Sequence, residues 1–92
     1  MKSLLSKEKR CWVCGTTMNI HKHHIYMGSN RNNSEKIGAW VYLCYKHHNG
    51  SNEGVHFNSK LDQELKEKAQ QEYEKTHSRE EFMAIIKRNY LD

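Results

Sequence analysis

The fold of this chain is decided by Leu43-Cys44-Tyr45-Lys46-His47-His48, where metal-binding side chains follow a predicted strand. Residues 39–45, Ala-Trp-Val-Tyr-Leu-Cys-Tyr, are rich in β-branched and aromatic side chains, which favour a strand. Two residues separate Cys44 from His47, and the same spacing occurs in Cys11-Trp-Val-Cys14. Each pair is therefore able to bring two ligands onto one metal ion from a tight turn.

The two pairs together predict one tetrahedral zinc site with three cysteine ligands and one histidine ligand. Zinc favours such a closed set in structural sites, where no position is left for water or substrate. The three cysteines cannot form a closed set of disulfides, and a metal site accounts for the odd number. His48 is an alternative fourth ligand, and ordinary buried thiols without a metal are the competing interpretation. The predicted ligands of this structural Zn²⁺ are Cys11, Cys14, Cys44 and His47.

Size and charge limit what the chain can do. At 92 residues, 36% of them hydrophobic, there is room for a single domain, residues 1–92, with a modest core. Domains of this size often need a metal ion to supplement such a core. The formal net charge is +4, with a balance of +5 in residues 1–58 and −1 in residues 59–92. Six of the seven histidines also lie in the first part, and this distribution favours a polyanionic partner.

The chain divides into a basic lead-in at 1–10, partly helical, a metal-binding part at 11–58 and a helical part at 59–92. In the second part we expect a turn at 11–18, an extended segment at 19–26 and a polar loop at 28–38. Ser59-Lys-Leu-Asp62 and Ser78-Arg-Glu-Glu81 match the capping box that opens a helix. Two apolar faces follow at helical spacing: Leu61, Leu65, Ala69 and Tyr73 on the first helix, and Phe82, Ile85, Ile86 and Tyr90 on the second.

The sequence gives no sign of a membrane protein. No apolar run is long enough to span a bilayer, and no secretory signal pattern is present. We therefore expect a cytoplasmic protein without a membrane partner.

Three segments resemble the signature of the HNH nucleases, also known as the His-Me finger or ββα-metal group. They are Cys11-Trp-Val-Cys14, His23-His24-Ile25 and Leu43-Cys44-Tyr45-Lys46-His47-His48, and the resemblance extends over about residues 11–74. Gly54-Val55-His56 and the helix after it look like those of small HNH proteins of phage and prophage genomes. A looser similarity is to the phage recombination nuclease Ref.

This resemblance implies an α+β fold, a small zinc-stapled ββα-metal (HNH) core with an additional C-terminal helix. It also implies a metal-dependent endonuclease that hydrolyses DNA phosphodiester bonds, in a bacterial or phage-infected cell. His24 is then the general base, and His23, His48 and His56 are the ligands of a catalytic divalent metal.

The chemistry of imidazole fits these implied roles. Histidine titrates at about 6.5 when unperturbed, so a neutral imidazole is available as a base near neutral pH. Three imidazoles suit zinc, nickel, cobalt or manganese better than magnesium, and no aspartate lies between Cys11 and His56. We therefore expect Zn²⁺, Mn²⁺, Ni²⁺, Co²⁺ or Mg²⁺ as the catalytic metal, with a transition metal preferred.

DNA is the implied partner, held through its backbone. Phosphate contacts position a nucleic acid without reading its sequence, and no recognition helix is evident, so we expect low specificity. The apolar face of the last helix is a candidate for pairing two copies, and a homodimer would let two sites cut both strands. The candidate phosphate contacts are Lys22, Arg31, Lys36 and Lys46.

One position departs from the family pattern. The middle residue, usually an asparagine that orients the base, should lie about five residues before Cys44, where this chain has Ala39. Two other functions therefore stay open: a non-catalytic zinc-binding module for nucleic acid or protein, and a phage accessory protein that acts on a host system through protein contacts. Candidates for a displaced orienting role are a backbone carbonyl and Asn30, Asn32, Asn33, Asn49, Asn52 and Asn58.

Overall fold

The computed structural model describes residues 2–50 and 54–91, so that Asn52 lies outside the described residues. Within these ranges the chain has a small mixed α/β fold, with one two-stranded antiparallel sheet and several helices. Two short 3₁₀ turns occur at Gly28–Asn30 and Val55–Phe57. The regular elements, in chain order, are β1 (Ile20–His24), α1 (Arg31–Ile37), β2 (Trp40–Cys44), α2 (Tyr45–His48), α3 (Ser59–Tyr73) and α4 (Arg79–Ile86).

Both predicted strands are present, and they pair with each other. The register places Ile20 opposite Cys44 and His24 opposite Trp40, so the start of β1 lies beside the end of β2. Side chains alternate between the faces of a strand, and accordingly His23 is buried whereas Lys22 is exposed. The sheet therefore carries the histidines of β1 alongside the cysteine that ends β2.

The prediction of a polar loop over residues 28–38 is wrong, because α1 occupies most of that segment. Ser34 is fully buried in this helix. Its hydroxyl accepts the backbone N–H of Tyr26 at 3.1 Å and donates to the carbonyl of Ala39. The helix ends at Gly38, which has a φ of 78° and forms a left-handed cap.

The asparagines of this segment are used for tertiary contacts. The side-chain amide of Asn30 donates to the carbonyl of Ile86 at 3.0 Å, and that of Asn33 donates to the carbonyl of Ile85 at 3.3 Å. Both carbonyls lie in the last turn of α4, where no intrahelical partner remains for them. Long-range hydrogen bonds thus override the local preference of these residues for a loop.

The two long C-terminal helices are confirmed, but only one of the two predicted capping boxes forms. In α4, the Ser78 hydroxyl accepts the N–H of Glu81, and the Glu81 carboxylate accepts the N–H of Ser78, each at 3.0 Å. In α3 the cap is Asn58 rather than Ser59, and its side-chain oxygen accepts the N–H of Leu61 at 3.1 Å. Because asparagine caps a helix as well as serine does, the cap lies one residue earlier than predicted, and Leu61 at the third helical position cannot complete a box.

The predicted apolar faces of both helices are part of the core of the chain. Leu65, Ala69 and Tyr73 of α3 are buried, and so are Phe82 and Ile86 of α4. The α4 face that we considered for pairing two copies is therefore covered within one chain. Tyr90 lies beyond the end of α4 and is not part of that helix, although Leu61, Ile85 and Tyr90 all pack against the core.

The N-terminal lead-in is not helical over residues 2–10. It runs along the edge of β2 and uses its serines as side-chain partners for that strand. The Ser3 hydroxyl donates to the carbonyl of Trp40, and the Ser6 hydroxyl accepts the N–H of Tyr42 at 3.1 Å. Serine favours such local and edge hydrogen bonds over a helix interior, which accounts for the difference from the prediction.

None of the helices in the described ranges is long and apolar enough to cross a membrane.

We expect Asn58→Ala to lower the free energy of unfolding by about 1 kcal/mol, the usual loss when an N-cap side chain is removed. Ser59→Ala is the matched control, because Ser59 is exposed inside the first turn and should change stability by less than about 0.5 kcal/mol. Urea unfolding of the metal-loaded protein, followed by circular dichroism, compares the two variants. A larger loss in Ser59→Ala than in Asn58→Ala would contradict this cap.

Candidate metal centres

A tight turn presents the first two cysteines. The backbone N–H of Cys11 donates to the carbonyl of Thr16, and the N–H of Gly15 donates to the carbonyl of Cys11, both at 2.8 Å. Gly15 has a φ of 78°, which residues with a Cβ atom rarely adopt. The N–H of Trp12 donates to the carbonyl of Tyr42 at 2.8 Å, so the turn is fixed to β2.

The four predicted structural ligands converge on one point, and we refer to Cys11, Cys14, Cys44 and His47 as the cysteine cluster. The sulfur atoms of Cys14 and Cys44 lie 3.8 Å apart. His47 Nδ1 lies 3.3 Å from Cys44 Sγ and 3.6 Å from Cys11 Sγ. A tetrahedral zinc site has S···S edges of ~3.8 Å and S···N edges of ~3.6 Å. The cluster is therefore geometrically compatible with one structural metal ion.

The pKa values of the Cys11 and Cys44 thiols are shifted by burial and by hydrogen bonds. Burial raises the pKa of Cys11, but hydrogen bonds from backbone N–H groups, chiefly that of Cys44, lower it overall from its usual 9.0 to about 6. Burial raises the pKa of the Cys44 thiol, and its contacts with the thiols of Cys11 and Cys14 add to that rise. Thiolates are the metal-binding form of cysteine. A cation bound among them would favour the thiolate form.

Three histidines form a second group, which we refer to as the histidine cluster. His23 comes from β1, His48 from the end of α2 and His56 from the 3₁₀ turn at Val55–Phe57. One ring nitrogen of each lies within 4.8 Å of the other two. The Nε2 atoms of His48 and His56 are 3.2 Å apart. The structure thus brings together the three residues that the sequence predicted as ligands of a second metal.

The environment of His23 tests whether this cluster fits a metal ion. Its ring is 2% exposed, and Nε2 is a buried side-chain atom without a hydrogen-bond partner among the described residues. Burial lowers the pKa of His23 from 6.5 to about 3, with further lowering from His48 and His56, so the imidazole is neutral. A buried polar atom left unpaired is costly, and coordination to a cation would satisfy its lone pair. The residues therefore fit a metal ion.

His24 lies beside the histidine cluster but does not belong to it. Its Nε2 lies 2.7 Å from Glu35 Oε1, and its Nδ1 accepts the Nε–H of Arg31 at 3.4 Å. The Lys22 ammonium donates to both oxygens of Glu35, at 3.2 and 3.3 Å. The hydrogen bond from His24, followed by that from Lys22, lowers the pKa of Glu35 and keeps it ionised.

Glu35 has no role in the sequence-based prediction, because it falls in the segment that was expected to be a loop. In α1 it lies four residues after Arg31, so both side chains project from the same face towards His24. The spacing of four residues between Arg31 and Glu35 was the signal in the sequence. It places the two side chains on one face only if the segment is a helix.

The remaining histidines differ in their relation to the two clusters. His21 has no role in the sequence-based prediction. Its Nδ1 lies 3.0 Å from Nδ1 of His48, the ring nitrogen that does not face His56. Burial lowers the pKa of His48, and His56 and His21 add to this lowering. His77 stacks on Tyr73 with ring centroids 4.2 Å apart, and it takes part in neither cluster.

The histidine cluster and His24 line one cleft of about 200 Å³. Two of the four predicted phosphate contacts, Lys22 and Arg31, line it as well. Lys36 is exposed on α1 and Lys46 on α2, outside this lining. The residues that line the cleft are Lys22, His23, His24, Met27, Arg31, His48 and His56.

Comparisons with known proteins assign no family to the chain. No family model, curated protein or solved structure matches it. The family resemblance therefore stays a prediction, and function has to be argued from the geometry of the side chains.

We expect the purified protein to bind cobalt(II) with the charge-transfer absorption of thiolate ligands. Cys14→Ser should weaken this band strongly, because it removes one of three thiolates at an exposed position. His48→Ala is the matched control and should keep the band, since His48 is not in the cysteine cluster. Loss of the band in His48→Ala, or full intensity in Cys14→Ser, would contradict the assignment of ligands.

Proposed function

We propose that this chain is a metal-dependent endonuclease of the HNH type, which hydrolyses DNA phosphodiester bonds with low sequence specificity. One observation carries the proposal: the histidine cluster lies next to His24, a fourth imidazole that a carboxylate holds in the same cleft. A purely structural metal site has no need of an uncoordinated histidine at its edge. A hydrolytic site needs such a group as a base.

The two clusters have different parts in this proposal. The cysteine cluster offers a closed set of soft ligands, which suits structural Zn²⁺. The histidine cluster offers three ligands, which leaves coordination positions for a substrate oxygen. The antiparallel pair β1 and β2, followed directly by α2, supports the ββα-metal core that the resemblance implies, although α1 is inserted between the two strands. Because all three ligands are imidazoles, Zn²⁺, Mn²⁺, Co²⁺ and Ni²⁺ suit the second site better than Mg²⁺.

In the proposed reaction, His24 takes a proton from the attacking water. His23, His48 and His56 would hold a divalent cation, which when bound would supply positive charge to stabilise the phosphate and the leaving 3′ oxygen. Lys22 and Arg31 contact neighbouring phosphates and hold the strand across the cleft. Such contacts carry no base information, so cleavage has low specificity.

We expect the protein to nick supercoiled plasmid with Mn²⁺, Co²⁺, Ni²⁺ or Zn²⁺ more readily than with Mg²⁺, and not with EDTA. His24→Ala should lower the rate about 10²–10⁴-fold, the usual contribution of a general base. His23→Ala should also abolish most nicking, because it removes a ligand. His77→Ala is the matched control, since His77 stacks on Tyr73 away from the cleft, and it should cut like the wild type.

Each variant is compared at equal occupancy of the cysteine cluster and equal thermal midpoint, so that a loss of activity is not a loss of fold. Nicking by His24→Ala at the wild-type rate would contradict the assignment of the base. If the protein binds DNA but yields no cleavage products with any metal, the endonuclease proposal is wrong and a zinc-binding module that binds nucleic acid takes its place.

A further inference from the structure

We infer that Glu35 is the positioning residue for His24, and that it selects the tautomer with the proton on Nε2 and the lone pair on Nδ1. The catalytic meaning of this inference rests on the proposed function, whereas its geometric part rests on the contacts of His24. The family pattern expects an orienting residue at position 39, and Ala39 has only a methyl group to offer there. Glu35 reaches the same imidazole from a different element, α1.

Two neighbours of His24 agree on one tautomer, and the contact with Glu35 is much the shorter of the two. An ionised carboxylate only accepts hydrogen bonds, so Glu35 Oε1 at 2.7 Å requires a proton on Nε2 of His24. A guanidinium only donates, so Arg31 Nε at 3.4 Å requires an unprotonated Nδ1. Neutral imidazole carries one proton, and both requirements are met only when it lies on Nε2. The hydrogen bond at one ring nitrogen thus fixes the role of the other.

The carboxylate of Glu35 is itself held in place. The Lys22 ammonium contacts both of its oxygens and lies 4.1 Å from the ring centroid of Trp40, so it bridges β1, α1 and β2. The residue before Glu35, Ser34, is fully buried and is hydrogen-bonded to Tyr26, which precedes α1, and to Ala39, which follows it. A positioning group needs such support, because a loosely held carboxylate would not fix the orientation of the ring.

The assignment also gives a direction to the imidazole. Arg31, which contacts Nδ1, lines the cleft, whereas Glu35, which contacts Nε2, is not among the residues that line it. The lone pair of His24 therefore lies on the side of Arg31, whose guanidinium is available to a phosphate in the cleft. A phosphate bound there would compete for the guanidinium and leave Nδ1 free to accept a proton.

The test is the tautomer of His24, read from ¹⁵N chemical shifts of the zinc-loaded protein at mildly alkaline pH, where histidine side chains are neutral. His24→Ala assigns the signals. We expect the Nε2–H tautomer in the wild type and a mixture in Glu35→Ala, because the contact with Arg31 that remains is long, at 3.4 Å, and too weak to fix the tautomer alone. Glu35→Gln should keep the Nε2–H tautomer, because the amide oxygen still accepts that proton. The Nδ1–H tautomer in the wild type, or an unchanged tautomer in Glu35→Ala, would overturn the inference.

Plasmid nicking adds the catalytic arm. Glu35→Ala should lower kcat at least about 10-fold with KM nearly unchanged, as expected when the partner of an orienting hydrogen bond is removed. Glu35→Gln should recover part of this loss. Glu72→Ala is the matched control, since Glu72, on α3, is another carboxylate that pairs with a lysine, Lys75. An unchanged kcat in Glu35→Ala would overturn the inference.

The two arms separate this inference from the proposed function. If the wild type holds the Nε2–H tautomer and Glu35→Ala loses it, Glu35 positions His24 even when no DNA is cut. In that case the endonuclease proposal fails and the positioning role stands.

Discussion

The convergence of three sulfur atoms and one imidazole nitrogen in the cysteine cluster is the constraint on which the rest of the chain depends. In small peptides a structural zinc site contributes about 10–16 kcal/mol, as much as the whole stability of an ordinary domain, roughly 5–15 kcal/mol. Cys44 ends β2 and His47 lies in α2, so closing this cluster also determines where His48 is placed. The histidine cluster is therefore built upon the cysteine cluster.

Elements that are determined by local periodicity and by capping residues close in sequence could be predicted from the sequence. β2 and the two C-terminal helices follow from periodicity and composition, and the Ser78 capping box forms as its pattern indicates. α1 could not be predicted, because its serine and asparagines are stabilised by partners elsewhere in the chain. Local propensity contains no information about a carbonyl that lies more than fifty residues away, such as that of Ile86 for Asn30.

The candidate site divides in the same way. The spacing of the cysteines and of His47 was sufficient to find the cysteine cluster, since metal ligands occur in short, recognisable groups. The ligands of the histidine cluster were instead implied by the resemblance to the HNH nucleases. Glu35 was missed because it approaches His24 only when α1 is a helix, and this segment was predicted to be a loop. The pairing of Lys22 and Arg31 with the cleft, but not of Lys36 and Lys46, likewise depends on which faces of β1, α1 and α2 are turned towards it.

Hydrogen bonds from Asn30 and Asn33 to α4 connect a segment inside the family resemblance to a helix outside it. α4 lies beyond residue 74, where the family resemblance ends, and its last carbonyls accept the amides of Asn30 and Asn33. Those asparagines flank and enter the helix that bears Glu35. Anything that displaces the C-terminal segment, such as a fusion, a proteolytic cut or a bound protein, removes support from α1. α4 therefore supports the cleft from a distance, and its displacement would loosen the cleft without contact with a candidate metal ligand.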